Sequence, residues 1–438
     1  MRFHYLSLLA LLTFSPVQGQ KVYGLKDCIS VGLERNFSIL IAKNSETISK
    51  NNYTIGNAGF LPIIDLTGRH TGTLNNTTQN LTDGTQTSSM GVFNTNTNGA
   101  VALRMTIFNG LNAVTTYKKL GELSHVGQLN KQLTIENLIA DIVSGYYNYI
   151  LQVQLTNNFK YALTLSRERL RIDEDRYLLG SGSKLEVLQS RVYVNSDSSN
   201  LSRQNEVVRT AQIRLNQMMA VENLANEFTS RDTSIDVNPG LLYEKLLEET
   251  LINNTNLLIA SGNKTISDYD YKLIVSRSYP YLNFSGGYSY NLNTYTMNAN
   301  KSQITNGMNY GLTLGVNLFD GNNQRRSIRN SSIDRDSKEL RYQEVEQGIR
   351  ADLLTIYYAY SNNLRLITLE EQNFQTATEN LDIALERYKL GSLSGIDLRE
   401  VQKSLLDARE RLISAHYQTK LAEVSLQLIA GKIMAYYL

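Results

Sequence analysis

The feature that most constrains this chain is that it is written twice. LERNFSILIAKNSETIS (33–49) aligns with LINNTNLLIASGNKTIS (251–267) at a spacing of 218 residues, and the same spacing pairs LPIIDLTG (61–68) with YPYLNFSG (279–286). From there the spacing is 211. LRMTIFNG (103–110) pairs with LTLGVNLFDG (312–321), ADIVSGYYNY (140–149) with ADLLTIYYAY (351–360), and RYLLGSGSKLEVLQS (176–190) with RYKLGSLSGIDLREVQ (387–402). Five ordered matches imply a duplicated structural unit rather than convergence on one amphipathic pattern. The offset changes inside two Asn/Thr/Gly/Ser-rich stretches, NNTTQNLTDGTQTSSMG and NLNTYTMNANKSQITNG. Length varies most easily in exposed loops, so both read as loops. The sequons at Asn76 and Asn80 are by-products of that composition.

The repeat gives the domain plan. Residues 1–19 read as a secretory signal peptide: Arg2, an apolar run Leu6–Phe14, Pro16, then small residues with cleavage expected near Gly19. Residues 20–225 form a first repeat, with a helix, a β-hairpin at about 60–109 and a long helix pair turning near 180. Residues 226–241 form a linker, NEFTSRDTSIDVNPG being the likeliest interruption of helix, and 242–438 form the second repeat, with its hairpin at about 279–320 and its turn near 391. The single cysteine, Cys28, excludes an internal disulfide and reads as a buried helix residue.

Around the loops the hydrophobic period is two. Leu312, Leu314, Val316 and Leu318 alternate with Thr313, Gly315 and Asn317; Val101, Leu103, Met105 and Ile107 alternate with Ala102, Arg104 and Thr106. Leu282, Phe284, Gly286, Tyr288 and Tyr290 likewise oppose Asn283, Ser285 and Ser289. Apolar residues on one face and small polar ones on the other suit a transmembrane β-barrel, or a soluble sheet with one wet face. The signal peptide and a composition with 27 Tyr and no Trp favour the membrane. Four strands per chain leave two open edges, which lipid does not tolerate. Closure then needs further copies, and eight or twelve strands both satisfy it.

No apolar run after the signal reaches the roughly 18 residues a transmembrane helix needs. Instead, a segment from Asn112 to Leu179 lacks proline and places Leu133, Leu138, Ile142, Tyr146, Tyr149 and Val153 at spacings of three and four. At about 1.5 Å per residue such a helix spans roughly 100 Å. No globular core covers a rod of that length, so coiled-coil-like packing against other rods is expected. A second helix covers Lys184–Met219, the pair recurs at Arg325–Leu390 and Gly395–Ile433, and shorter helices cover Leu25–Asn57 and Leu242–Ser276.

Each RY turn joins two long helices. Gly180 and Gly391 can end the incoming helix, and Ser181 or Ser183, and Ser392 or Ser394, can cap the outgoing one. Glu186 and Asp397 then fall in a first helical turn, where the helix dipole favours negative charge. Asp397 and Glu400 are one turn apart and share a face.

These motifs together resemble the TolC-type outer-membrane efflux proteins (outer membrane factors). The resemblance rests on Leu-x-x-Asn helices, a proline opening each repeat's first strand, Phe-x-Gly at the strand-to-helix junction, and an Arg-Tyr-x-x-Gly turn before an acidic residue, each present twice. It implies a mixed α+β membrane protein: a homotrimer with one twelve-stranded β-barrel, four strands per chain, continuous with a long periplasmic α-helical barrel. It implies an exit duct for a tripartite efflux or type I secretion system. That duct is a passive conduit energised by an inner-membrane pump through a periplasmic adaptor. It also implies that the turns form a periplasmic gate, carried by Asp397, Glu400, Tyr388, Arg387 and Glu186. Asp397 matches the first acidic position of the second turn, Glu400 the second, and Tyr388 the tyrosine that ties neighbouring helices. The family's linking arginine is replaced by Leu393, leaving Arg387 or Arg399 as substitutes, and Gln189 replaces the second acid in the first turn. The tips that would dock an adaptor are Arg176, Tyr177, Leu179, Gly180 and Ser181 with Arg387, Tyr388, Leu390, Gly391 and Ser392; plain hairpin packing is the alternative role.

Other functions fit less well. Net charge is +2, which gives no electrostatic case for nucleic acid. The four histidines (His4, His70, His125, His416) form no metal spacing, and GSGSK (180–184) falls short of a phosphate loop, so no enzyme, metal or cofactor is expected. A stand-alone porin has no need of helices this long, and a purely structural coiled-coil envelope protein has no need of alternating strands.

Overall fold

The computed structural model describes residues 21–296 and 300–437; the expected signal peptide lies outside the described residues. In chain order the elements are β1 (Lys21–Tyr23), α1 (Leu25–Arg35), α2 (Phe37–Asn52), β2 (Ile63–Asn80), β3 (Gln86–Asn109), α3 (Asn112–Leu178) and α4 (Lys184–Met218). They continue with β4 (Phe228–Ser230), α5 (Tyr243–Asn253), α6 (Thr255–Ser276), β5 (Tyr281–Tyr295), β6 (Ser302–Gly315), α7 (Asn323–Lys389), α8 (Gly395–Ile429) and a 3-10 turn at Ile433–Tyr436. Helices α3 and α7 both have 67 residues, and α4 and α8 both have 35. No described helix is long and apolar enough to cross a membrane.

The chain forms two compact units, each drawing on both halves of the sequence. One comprises residues up to Ile41, Leu133–Asn254 and those from Gly348 on; the other comprises Ala42–Gln132 and Thr255–Gln347.

The second unit holds a four-stranded antiparallel sheet ordered β2-β3-β5-β6. Its register sorts the side chains into two faces. On one face run the rows Ile64–Leu103–Gly286–Tyr310 and Leu66–Val101–Tyr288–Met308. On the other run Asp65–Ala102–Gly287–Asn309, Thr67–Ala100–Ser289–Gly307 and Arg69–Asn98–Asn291–Thr305. The apolar face is bare: Leu66 is 83% exposed, Met308 82% and Tyr310 84%. The polar face is knitted by side chains, with Asn96 donating to Asn293 and Asn98 to Asn291 across β3 and β5. The strand expected to continue to about residue 320 ends at Gly315. Its partner β5 begins at Tyr281, which pairs with Gly315, so the ladder has nothing further to bond.

In the first unit the three- and four-residue spacing of α3 buries Leu138, Ile142, Tyr146 and Tyr149 in one apolar cluster with Cys28, Ile29, Leu215 and Phe228. Cys28 is fully buried in α1, as its sequence context implies. The Tyr149 hydroxyl donates to the Phe228 carbonyl, and the Gln212 amide donates to the same oxygen. These bonds hold the linker's short strand β4, which pairs in parallel with β1.

The two shorter helices are each broken once, where continuous helices were expected. Asn36 and Asn254 take extended backbone, with ψ of 127° and 116°. The physical reason is a cap for another helix. The Asn36 amide donates to the Met218 carbonyl at the end of α4, and the Asn254 amide donates to the Ile429 carbonyl at the end of α8. The last carbonyls of a helix lack intrahelical partners, and a side-chain donor satisfies one of them.

Candidate functional site: two helical turns and the polar network between them

Both RY turns close by the same backbone scheme. Ser181 N–H donates to the Arg176 carbonyl and Gly180 N–H to the Tyr177 carbonyl; Ser392 and Gly391 repeat this with Arg387 and Tyr388. This pair of bonds requires a left-handed residue after the helix, and Gly180 and Gly391 supply it with φ of 77° and 78°. Ser183 accepts from Glu186 N–H, and Glu186 accepts from Ser183 N–H, a reciprocal cap on α4. Ser394 accepts from Asp397 N–H while its hydroxyl donates to Asp397 Oδ2 at 2.7 Å. Ser181 and Ser392 do not cap the outgoing helices. Their hydroxyls donate back to the Arg176 and Arg387 carbonyls, closing the incoming ones.

The two turns differ in what surrounds them. Tyr177 and Leu179 in the first, and Leu390, Gly391 and Ser392 in the second, are exposed. Tyr388 is only 2% exposed and packs with Leu381, Ala384, Leu398 and Leu405. Its place among the exposed docking residues is therefore corrected: an aromatic ring in a sealed apolar cluster presents nothing to a partner. Its hydroxyl donates to Asp173 Oδ1 on α3. Burial, helped by that carboxylate, pushes the phenol up to about 12. Arg176 also spans the two hairpins: Nη2 donates to the Tyr388 carbonyl at 3.0 Å, and the guanidinium lies 5.1 Å from the Tyr388 ring centroid.

Asp397 and Glu400 are both exposed at the start of α8, while Leu398 and Gln402 on the other side are buried. Glu400 makes no hydrogen bond or ion pair with the described residues, whereas Glu186 is held in its own cap. Leu393 packs against the apolar cluster. Arg387 turns back to the Ser392 carbonyl at 3.3 Å, within its own turn. Arg399 makes the long-range link instead. Its two terminal nitrogens bind the Asp197 carboxylate on α4 at 2.9 Å each, one also reaches Ser166 on α3, and the guanidinium stacks 4.9 Å from the Tyr193 ring.

Sequence reasoning alone did not point to the other half of this network. Asp173 and Asp197 are 2% and 3% exposed. Asp173 accepts from Tyr388 and from the Ser190 hydroxyl, and Asp197 accepts from Ser166 and Arg399. Buried Arg169 sits 3.7 Å from Asp173 and 5.0 Å from the Tyr193 ring. Two acids and two arginines balance in charge, and each acid is multiply bonded, which is the condition under which buried ions are tolerated.

A bare apolar face on an open-edged sheet, together with paired helices of 67 and 35 residues, sets the fold class of this chain. Solved channels share the fold. CusC aligns with a TM-score of 0.76 at 14% identity, covering 93% of this chain and 92% of that one. The Campylobacter jejuni CmeC outer membrane channel aligns at 0.75 with 15% identity, covering 93% and 85%. VceC of Vibrio cholerae aligns at 0.72 with 15% identity, covering 93% and 96%. Residues 246–432 match the family model described as outer membrane efflux protein. The outer membrane protein TolC of Vibrio cholerae serotype O1 is 25% identical over 198 residues, which is 43% of this chain and 44% of that protein. The TolC-type resemblance read from the motifs of this chain is borne out by both matches.

Proposed function

We propose that three copies of this chain close into one twelve-stranded barrel continued by a periplasmic helical tunnel. In this reading the trimer is the passive exit duct of a tripartite efflux or type I secretion assembly, energised by an inner-membrane pump through a periplasmic adaptor. The observation that carries the reading is the sheet. Among the described residues, its outer strands β2 and β6 each pair on one side only and its apolar face has no cover. A lipid-exposed sheet must have no free edge, so such a sheet needs its own copies.

The exposed acids of the second turn, Asp397 and Glu400, are the gate residues of this duct, six carboxylates around one axis in a trimer. Tyr388 acts in the gate by tying α7 to α3. The adaptor-docking surface comprises the exposed or half-buried parts of both turns: Arg176, Tyr177, Leu179, Gly180 and Ser181 with Arg387, Leu390, Gly391 and Ser392. Fractionation tests the reading. A heat-resistant trimer in the outer-membrane fraction that forms conducting pores in planar bilayers is expected; a soluble monomer overturns it.

A further inference from the structure

We infer that Arg69 makes the sheet-bounded part of the conduit attractive to anionic solutes; the inference rests on the barrel proposed above. The four strands β2, β3, β5 and β6 contain three Asp, Glu, Lys or Arg residues, namely Asp65, Arg69 and Arg104. All three stand on the polar face, the one that would line the bore. Arg104 is neutralised, since its Nη2 donates to Asp65 Oδ2. Arg69 is exposed and makes no hydrogen bond or ion pair with the described residues. Its row holds Asn98, Asn291 and Thr305, no acid among them, and the Asn98 amide is already committed to Asn291. The neighbouring row, Thr67–Ala100–Ser289–Gly307, consists of small side chains that leave the long guanidinium arm unobstructed.

Each sheet therefore carries one uncompensated positive charge on its wet face and none on its apolar face. Three in one ring, walled by a low-dielectric barrel, concentrate anions and disfavour cations, whether the charge is a halide, a carboxylate or a phosphate. The sign is opposite to that of the acidic turn at Asp397 and Glu400.

Thiol chemistry reads this charge locally. The natural Cys28 is fully buried and its thiol is pushed up to about 12, chiefly by burial, so the background is silent. A Thr67→Cys reporter lies two residues from Arg69 on the same face, about 7 Å away. In the trimer reconstituted in lipid nanodiscs, its modification by an anionic and a cationic methanethiosulfonate is compared with and without Arg69→Gln. The anionic-to-cationic rate ratio is expected to fall about five-fold in Arg69→Gln and to be kept in Arg69→Lys. An unchanged ratio overturns the inference alone. A Thr67→Cys thiol inert to both reagents overturns the barrel reading with it, because that face would then not be wet.

Discussion

The Tyr388 hydroxyl donates to the Asp173 carboxylate across 215 residues of chain, tying the end of α7 to α3 inside a sealed cluster. A hydrogen bond to a buried charge contributes about 1.5–3 kcal/mol. Tyr388→Phe should therefore loosen the second turn by that amount without removing the ring. Hydrogen exchange of the 384–398 backbone is expected to accelerate by one to two orders of magnitude, while exchange in β3 and β5 stays unchanged.

The same bond sets a pH dependence. The Tyr388 phenol is raised to about 12 from an ordinary value near 10. Its neutral form is thus favoured in the folded chain. The stabilisation is fully present below pH 10 and is lost as pH rises through 12, about 3 kcal/mol in all. Other tyrosines, the half-buried Tyr147 among them, move in the same direction, so the quantity to measure is the difference between wild type and Tyr388→Phe. Denaturant unfolding of the two proteins should converge between pH 10 and 12.

Arg399 and Asp197 form the other long-range tie. Removing one member of a buried pair leaves an uncompensated charge and costs about 3–5 kcal/mol. Arg399→Ala should destabilise by that much, and the double variant with Asp197→Ala should recover a large part, giving a coupling energy of at least 1 kcal/mol in a double-mutant cycle followed by thermal unfolding. Strict additivity would mean that the pair does not act together.

Gly180 and Gly391 have the same left-handed backbone and unequal surroundings. A Cβ at Gly180 meets nothing within 4 Å, whereas at Gly391 it lies 2.8 Å from Arg176 Nη2. Gly180→Ala should cost about 1–2 kcal/mol for the backbone alone. Gly391→Ala should cost more, because Arg176 must leave the Tyr388 carbonyl. Arg176→Ala should shrink the excess cost of Gly391→Ala, as read by thermal unfolding.

Replacing Asp397 and Glu400 together by Ala should change single-channel conductance and lower cation selectivity in planar bilayers. The Ala pair also weakens the cap on α8, so Ser394→Ala serves as control: it costs about 1 kcal/mol and leaves both acids in place. Unchanged conductance and selectivity in the double variant reject these residues as the constriction.

The two-residue alternation of Val101–Ile107 and Leu282–Tyr290 was enough to find the strands and their faces, because a pleated backbone sends successive side chains to opposite sides. The long helices were legible for the complementary reason: nothing in 112–178 breaks them. The kinks at Asn36 and Asn254 were not, since asparagine breaks a helix only weakly and here responds to carbonyls about 180 residues away. Asp173 and Asp197 did not stand out either, because no motif surrounds them. One signal could have exposed them. At the 211-residue offset Ser166, Asp173 and Asp197 stand opposite Ala377, Ala384 and Ala408, and all six are buried. A charged residue aligned with a buried alanine marks a polar group that needs a partner inside.

That substitution also breaks the equality of the two halves. Tyr177 and Tyr388 are equivalent in the repeat, yet Tyr177 is 47% exposed and Tyr388 2%. Tyr388 meets an aspartate, while the matching site for Tyr177 is Ala384. In a ring of three such chains the six seams between hairpins would look alike in outline and differ in stiffness, bonded ones alternating with greased ones. A load applied evenly around the ring would then part it at three places, not six.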